Sequence, residues 1–175
     1  MLNYVSVEEA VSVIKSGDRI FGHGSACTPN LFYDELANQA HRLKDVEMVS
    51  ITQQGNVEIA KPQYKDSFYI NSLFTSAPVR DAVNSENGDF VPIFLSEIPI
   101  LFKNDILPLD VAMITVSPPD NHGYCTLGTS VDIARSAIDT AKIIIAIVNP
   151  KMPRTHGDGM IHISRIAKAV WSEEE

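Results

Sequence analysis

The chain has 175 residues, 45% of them hydrophobic and 21% charged, so it can bury a core without disulfide or metal staples and is too apolar for a disordered segment. A formal net charge of −8 argues against a sequence-independent nucleic-acid binder, which needs a basic face, and offers no polybasic segment for anionic lipid. No apolar run approaches the ~18 residues of a membrane span; with no basic or apolar leader in Met1-Leu2-Asn3-Tyr4 and only Cys27 and Cys125 as thiols, a reducing cytoplasm is expected.

In chain order, Ser6 with Glu9 three residues later makes a capping box, and Val7, Ala10, Val11 and Ile14 follow at helical spacing. Gly17-Asp18 ends that helix, and Arg19-Ile20-Phe21 begins a short strand. Thr28 stands where an N-cap belongs, with Pro29 at the first helical position. Leu31, Phe32, Leu36 and Ala40 supply the buried stripe of the helix that follows. Residues 46–51 and 68–73 read as strands, 78–84 as a short helix, 90–94 as a strand and 99–104 as a helix. Residues 111–116 form a near-continuous apolar run, as expected of a strand covered on both faces. A helix is predicted over 129–139, with Val131, Ile133, Ala134, Ala137 and Ile138 apolar, and a last buried strand over 142–148. Residues 161–170 alternate only weakly. The alternation of periods indicates one α/β domain with a largely parallel sheet over residues 1–170. Residues 171–175 form an acidic tail, either solvated or the start of a linker at which the chain is cut.

Ligands of parallel sheets gather outside the carboxyl ends of the strands, and three loops there are rich in small or polar residues. The first, Gly22-His23-Gly24-Ser25-Ala26-Cys27-Thr28-Pro29, has glycines that let backbone approach a ligand and leads into a helix N-terminus. It is equally a tight strand-to-helix turn, and Cys27 spoils a dinucleotide fingerprint. The second, Thr52-Gln53-Gln54-Gly55-Asn56, offers neutral amides that could orient a thioester carbonyl or simply bond the loop itself. The third, Ser117-Pro118-Pro119-Asp120-Asn121-His122-Gly123-Tyr124-Cys125, is a rigid polar turn.

Other chemistries are weaker. His122 with Cys125 and His156 with His162 are half-signals for zinc without a paired Cys-x-x-Cys, so no metal is expected. Cys27 or Cys125 with His23 or His122 would suit acyl transfer, but spacing does not show whether the side chains meet. Glu58 and Glu97 lack the glycine-framed setting of a carboxylate nucleophile.

Composition and spacing end at an α/β domain with a small-molecule cleft. Gly24-Ser25-Ala26-Cys27-Thr28-Pro29 resembles the early glycine-serine-proline loop of the acetyl-CoA hydrolase/transferase family. More specific are 116–124 with Leu127-Gly128-Thr129-Ser130-Val131-Asp132, and most specific is Val148-Asn149-Pro150-Lys151-Met152-Pro153-Arg154-Thr155-His156-Gly157-Asp158. In order and spacing these resemble the 4-hydroxybutyrate CoA-transferase branch over essentially the whole chain.

The resemblance implies the N-terminal member of two related open α/β domains, with helices on both faces of the sheet. It implies movement of coenzyme A, a co-substrate rather than a resident cofactor, from an acyl-CoA to a small carboxylate through a glutamyl-CoA thioester. The catalytic glutamate belongs to the second domain. Gly159-Met160-Ile161-His162-Ile163-Ser164 faintly echoes the family's glycine-His-Glu strand, but Arg165 follows and no glutamate is present, so no catalytic residue is carried over. What the resemblance leaves here is a wall of the acyl pocket: Ser25, Thr28, Gln53, Asn121 and His122. The chain alone is then expected to be inactive, and the face left by a missing C-terminal domain to drive homo-oligomers. The alternatives are a non-catalytic binding or regulatory subunit pairing with a separate catalytic chain, and a sugar-phosphate isomerase of similar fold, whose acid/base residues are absent.

Overall fold

The computed structural model describes residues 2–173. Its nine strands are β1 (Arg19–Gly22), β2 (Val46–Ser50), β3 (Phe68–Ser72), β4 (Gly88–Phe90), β5 (Val111–Val116), β6 (Tyr124–Thr126), β7 (Ile143–Val148), β8 (Met160–His162) and β9 (Lys168–Trp171). The helices are α1 (Val7–Val11), α2 (Asn30–Asn38), α3 (Arg80–Val83), α4 (Ile98–Lys103) and α5 (Ala134–Thr140). Seven strands form one sheet in the order β4-β3-β2-β1-β5-β7-β9, with every neighbouring pair parallel. The chain winds outward from β1 in one direction and, from β5, in the other. β6 and β8 pair antiparallel as a separate arm, Cys125 opposite Ile161.

The two faces carry separate cores. On one, Ile20, Met48, Ile70 and Met113 pack against Ala10, Val11, Phe32, Tyr33 and Leu36 of α1 and α2. On the other, Phe21, Val49, Ala112, Ile114 and Ala146 meet Ile98 and Phe102 of α4 and Ala134, Ala137 and Ile138 of α5. The expected open sheet with helices on both faces is what forms. Toward the β4 edge the second face turns polar: the Arg19 guanidinium donates to Glu47 at 2.7 Å, and Asn71 donates to the other Glu47 oxygen at 2.6 Å.

Several boundaries differ from expectation. Ser6 caps α1 as predicted, accepting the Glu9 N–H at 3.1 Å. Thr28 does not cap α2, because its hydroxyl turns away to donate to the Ser25 carbonyl at 2.7 Å, and the helix begins at Asn30. The strand expected over 90–94 lies at 88–90 instead, since Pro92 has no N–H for the sheet. The helix expected from 129 starts at Ala134, and just before it Asp132 accepts the N–H groups of Ile133 and Ala134 in a turn. Strands β6, β8 and β9 went unread in the sequence. β9 runs through Trp171, and Ser172 still donates to the Val148 carbonyl at 3.1 Å. Of the tail over 171–175, Glu174 and Glu175 lie outside the described residues. Among the described residues no helix is long and apolar enough to cross a membrane.

Candidate functional site

The strand order reverses its winding between β1 and β5, and a crevice opens there beyond the carboxyl ends of the strands. It holds a cavity of about 240 Å³ lined by Ser25, Thr28, Asn30, Gln54, Thr115 and Asn149 among others. A larger trough of about 480 Å³ beside Ser6, Glu9, Gln39 and Arg42 is shallower and lies among helix ends away from the winding reversal. The smaller cavity is better enclosed and has convergent polar groups, so it is the candidate site.

The first loop is held from outside itself. A Cβ at Gly22 would stand 1.9 Å from the Tyr33 hydroxyl oxygen, so glycine there admits the Tyr33 ring rather than a ligand. That hydroxyl donates to the Gln53 Oε1 at 2.7 Å, and the Gln53 Nε2 donates to the His23 carbonyl at 3.0 Å. Burial pushes the Tyr33 hydroxyl far above its ordinary range, so it remains a donor. Gln53 is thus fully buried, tying α2 to β1, and its side chain does not line the cavity.

Ser25 sits at φ +55°, a left-handed conformation costing roughly 1 kcal/mol for a residue with a Cβ. Its N–H donates to the Thr52 carbonyl at 2.7 Å, and its carbonyl accepts the Thr28 hydroxyl. The Thr28 oxygen in turn accepts the Gln54 N–H at 3.0 Å, so Ser25, Thr28 and the second loop form one unit. Thr115 donates its hydroxyl to the Cys27 carbonyl at 2.9 Å and fixes the unit to β5. On the far side, Asn30 donates to the Gln54 carbonyl and accepts the N–H of Val57, a β-branched residue held at φ +30°. Gly55, at φ +80°, lies so close that a Cβ would meet the Asn30 Nδ2 at 2.3 Å.

His23 is wholly buried under this loop. Its Nδ1 accepts the Thr115 N–H at 3.2 Å, so Nε2 carries the proton and donates to the Ser130 carbonyl at 2.6 Å. Burial holds its pKa below the ordinary imidazole range, opposed by the Ser130 carbonyl and the Asp132 charge. Both nitrogens are occupied, so His23 activates neither Ser25 nor Cys27. The Cys27 sulfur instead faces the Leu127 carbonyl and the Thr129 hydroxyl, each at 3.5 Å. Cys125 is buried in the second core, which pushes its thiol up to about 11. The Cys–His pairs weighed above are therefore not assembled. Among the described residues no three His, Cys, Asp or Glu side chains gather as metal ligands.

The third loop behaves differently. Asp120 accepts the N–H groups of His122 and Tyr124 at 2.9 and 2.8 Å and an Arg154 guanidinium N–H at 2.6 Å. Those contacts, led by the Tyr124 N–H, hold its carboxyl below the ordinary range. Asn121 and His122 ride on the exposed outside of this turn and do not line the cavity. The structure thus brings Ser25 and Thr28 together, buries Gln53 behind them and leaves Asn121 and His122 apart.

Three lining residues escaped the sequence reading. Thr115 is the single polar residue in an apolar strand, Asn149 is the first residue beyond β7, and Asn30 opens α2. Each had a visible signal, a polar side chain at a strand or helix terminus. The lining contains no carboxylate and no thiol. Thr28, Asn30 and Thr115 spend their polar atoms on the scaffold, whereas the Ser25 hydroxyl and Gln54 carboxamide have no partner among the described residues. The arrangement can orient a small polar ligand but holds no activated nucleophile.

Comparison with known proteins agrees with this fold. The family description "Acetyl-CoA hydrolase/transferase N-terminal domain" matches residues 3–175. The chain is 41% identical over 161 residues to a succinyl-CoA:acetate/propanoyl-CoA:succinate CoA transferase of Fasciola hepatica, covering 91% of this chain and 33% of that protein. It is 40% identical over 162 residues to the 4-hydroxybutyrate coenzyme A transferase of Clostridium kluyveri, covering 93% of this chain and 38% of that one. The crystal structure of RipA from Yersinia pestis matches with a TM-score of 0.90 at 28% identity, over 98% of this chain and 42% of RipA. The chain spans only 33% and 38% of the length of these two curated relatives.

Proposed function

The chain belongs to the acetyl-CoA hydrolase/transferase family as its N-terminal domain, and on that premise we propose that it forms one wall of the acyl pocket of a CoA-transferase. In that reading coenzyme A moves from an acyl-CoA to a small carboxylate such as acetate or 4-hydroxybutyrate, in the cytoplasm. A glutamate oxygen bonds to the thioester carbonyl carbon, the C–S bond breaks and CoA thiolate leaves with the electron pair. The thiolate then attacks the glutamyl carbonyl of the mixed anhydride and expels the first carboxylate. An acceptor carboxylate reverses both steps, which makes the kinetics ping-pong.

The observation that carries this reading is the lining of the switch-point cavity: neutral donors and acceptors fixed by the scaffold, with no nucleophile among them. The Ser25 hydroxyl and Gln54 carboxamide are the groups left to meet a thioester or carboxylate oxygen, where fixed donors stabilise developing negative charge. Thr28 and Gln53 serve by positioning them. The glutamate is assigned to a second domain.

Purified chain mixed with acyl-CoA and labelled acetate should give no exchange. Sustained turnover would place a nucleophile in this chain and overturn the reading. The enclosed cavity is walled by this chain alone, which favours one further reading, a non-catalytic binding subunit. Isothermal titration separates the two: saturable acyl-CoA binding by the isolated chain supports the subunit, and binding only in a two-domain protein supports the half-enzyme.

A further inference from the structure

The left-handed conformation of Ser25 needs its loop to be held on both sides, and one residue of β5 does both. Thr115 donates its backbone N–H to the His23 Nδ1 at 3.2 Å and its hydroxyl to the Cys27 carbonyl at 2.9 Å. Ser25 stands midway between those two points and lines the cavity. The other edge of the His23 ring meets the Ser130 carbonyl at 2.6 Å, and the Ser130 hydroxyl donates to the Asp132 carboxylate at 2.5 Å. His23 is wholly buried and Ser130 nearly so, which shields this row of bonds from water.

We propose that His23 and Thr115 form a proton-sensitive clamp that positions Ser25 at the cavity. One protonation state of the ring closes it. In the neutral ring Nδ1 offers a lone pair to the Thr115 N–H, while the Nε2–H serves the Ser130 carbonyl. A proton added at Nδ1 sets two donors against each other on the Thr115 side. It leaves the Ser130 bond in place and strengthens it with charge. Among the described residues Asp132 is the one charged group acting on the ring, and it draws the ring the same way. β5 brings the Thr115 N–H, and the second loop brings the neutral Gln53 carboxamide, which bonds the His23 carbonyl rather than the ring. Protonation therefore shifts His23 toward Ser130 and Asp132, frees one side of the clamp and lets Ser25 relax. Burial holds the ring neutral below the ordinary imidazole range, so the clamp is shut at neutral pH. What Ser25 meets in the cavity rests on the proposed function, whereas the clamp belongs to this chain alone.

Amide exchange and nitrogen-edited NMR on the 175-residue chain test the clamp without ligand, so failure of the transferase reading leaves the result standing. Protection at Ser25 is compared with protection at Ile145, buried in β7, which reports opening of the whole fold. A carboxamide oxygen in His23→Asn takes the place of Nδ1, so this variant should keep the Ser25 protection and lose its response to acid. A carboxamide nitrogen in His23→Gln takes the place of Nε2 and leaves the Thr115 N–H unserved. His23→Gln, and Thr115→Val, which removes the hydroxyl bonded to Cys27, should each lower protection at Ser25 about tenfold relative to Ile145. Thr115→Ser should restore it. In the unaltered chain the Ser25 and Thr115 amide resonances should move with the midpoint of the His23 ring as pH falls. Equal changes at Ser25 and Ile145 in every variant overturn the proposal. So does a His23→Asn protein that behaves as His23→Gln, or a chain that unfolds before the ring takes up its proton.

Discussion

Two loops of similar composition leave adjacent parallel strands, yet only one builds a site. The loop after β1 and the loop after β5 both carry glycine, serine, proline and histidine. In the first, the bonds that anchor the loop reach residues distant in sequence: His23 to Ser130, Thr115 to Cys27, Gln53 to His23 and Tyr33. In the second, Asp120 satisfies its own turn through N–H groups two and four residues away, with Arg154 as the distant strut. The first loop is therefore as rigid as the core beneath it, and its spare groups are positioned before any ligand arrives. The second is a stable turn whose Asn121 and His122 side chains face water. Loop composition signals polarity, while preorganisation comes from long-range bonds.

The largest effect should come from breaking the first loop's support. Gly22→Ala drives a methyl group onto the Tyr33 hydroxyl and severs its bond to Gln53, an overpacking plus a lost buried hydrogen bond. A loss of about 3 kcal/mol in urea denaturation is expected. Tyr33→Phe removes the hydroxyl alone and leaves the Gln53 Oε1 without its donor, so about 2 kcal/mol should be lost. The double variant sharpens the point. With the hydroxyl gone the nearest atom to the methyl group is the ring Cζ at 3.1 Å, a tight contact in place of a clash, so the two losses should fall short of additive. Additive losses would mean that Gly22 is required for some reason other than Tyr33.

How far the sequence disclosed all this depends on whether local or distant residues decide each feature. Strands β5 and β7 were legible because their apolar runs are nearly continuous, and β1, β2 and β3 because each carries a short cluster of apolar residues between turn signals. β4 was placed too late because 90–94 is the more apolar stretch. The register is decided instead by Gly88, where any Cβ would meet the Ile70 carbonyl oxygen at 2.5 Å. β9 has weak alternation and exists through its pairing with β7. In the site, Ser25 and Thr28 could be read from their loop. Gln53 was recognisable as a polar residue near the site, but its burial depends on Tyr33, twenty residues upstream. Nothing within the third loop showed that Asn121 and His122 would face outward, since the Arg154 strut comes from the segment after β7.

His23 offers a subtler way to probe the first loop. Its folded-state pKa is depressed by burial, so below the unfolded value of about 6.5 the unfolded chain takes up a proton that the native state refuses. Its contribution is therefore full above about pH 6.5 and declines as pH falls toward the folded-state pKa, at a slope approaching ~1.4 kcal/mol per pH unit. Urea denaturation between pH 7 and pH 5 should show that slope, and His23→Gln should flatten it despite being less stable at neutral pH. An unchanged slope in the variant would mean that His23 does not carry the effect.

The smallest effects belong to the second loop. Asp120→Ala should speed amide exchange at His122 and Tyr124, whose N–H groups it accepts, while leaving the Ser25 amide protected by Thr52. Asn121→Ala and His122→Ala remove exposed side chains that support nothing beneath them, so each should shift stability by less than ~0.5 kcal/mol. Ligand binding separates this geometry from the expectation that placed both residues in the pocket wall. If acyl-CoA affinity, measured in whichever form of the protein binds it, is unchanged by Asn121→Ala and His122→Ala but falls with Ser25→Ala, the first loop alone is the wall. A comparable fall from the turn variants would mean that ligand or a further domain folds the turn over the cavity. The contrast between the two loops would then describe only the unliganded chain.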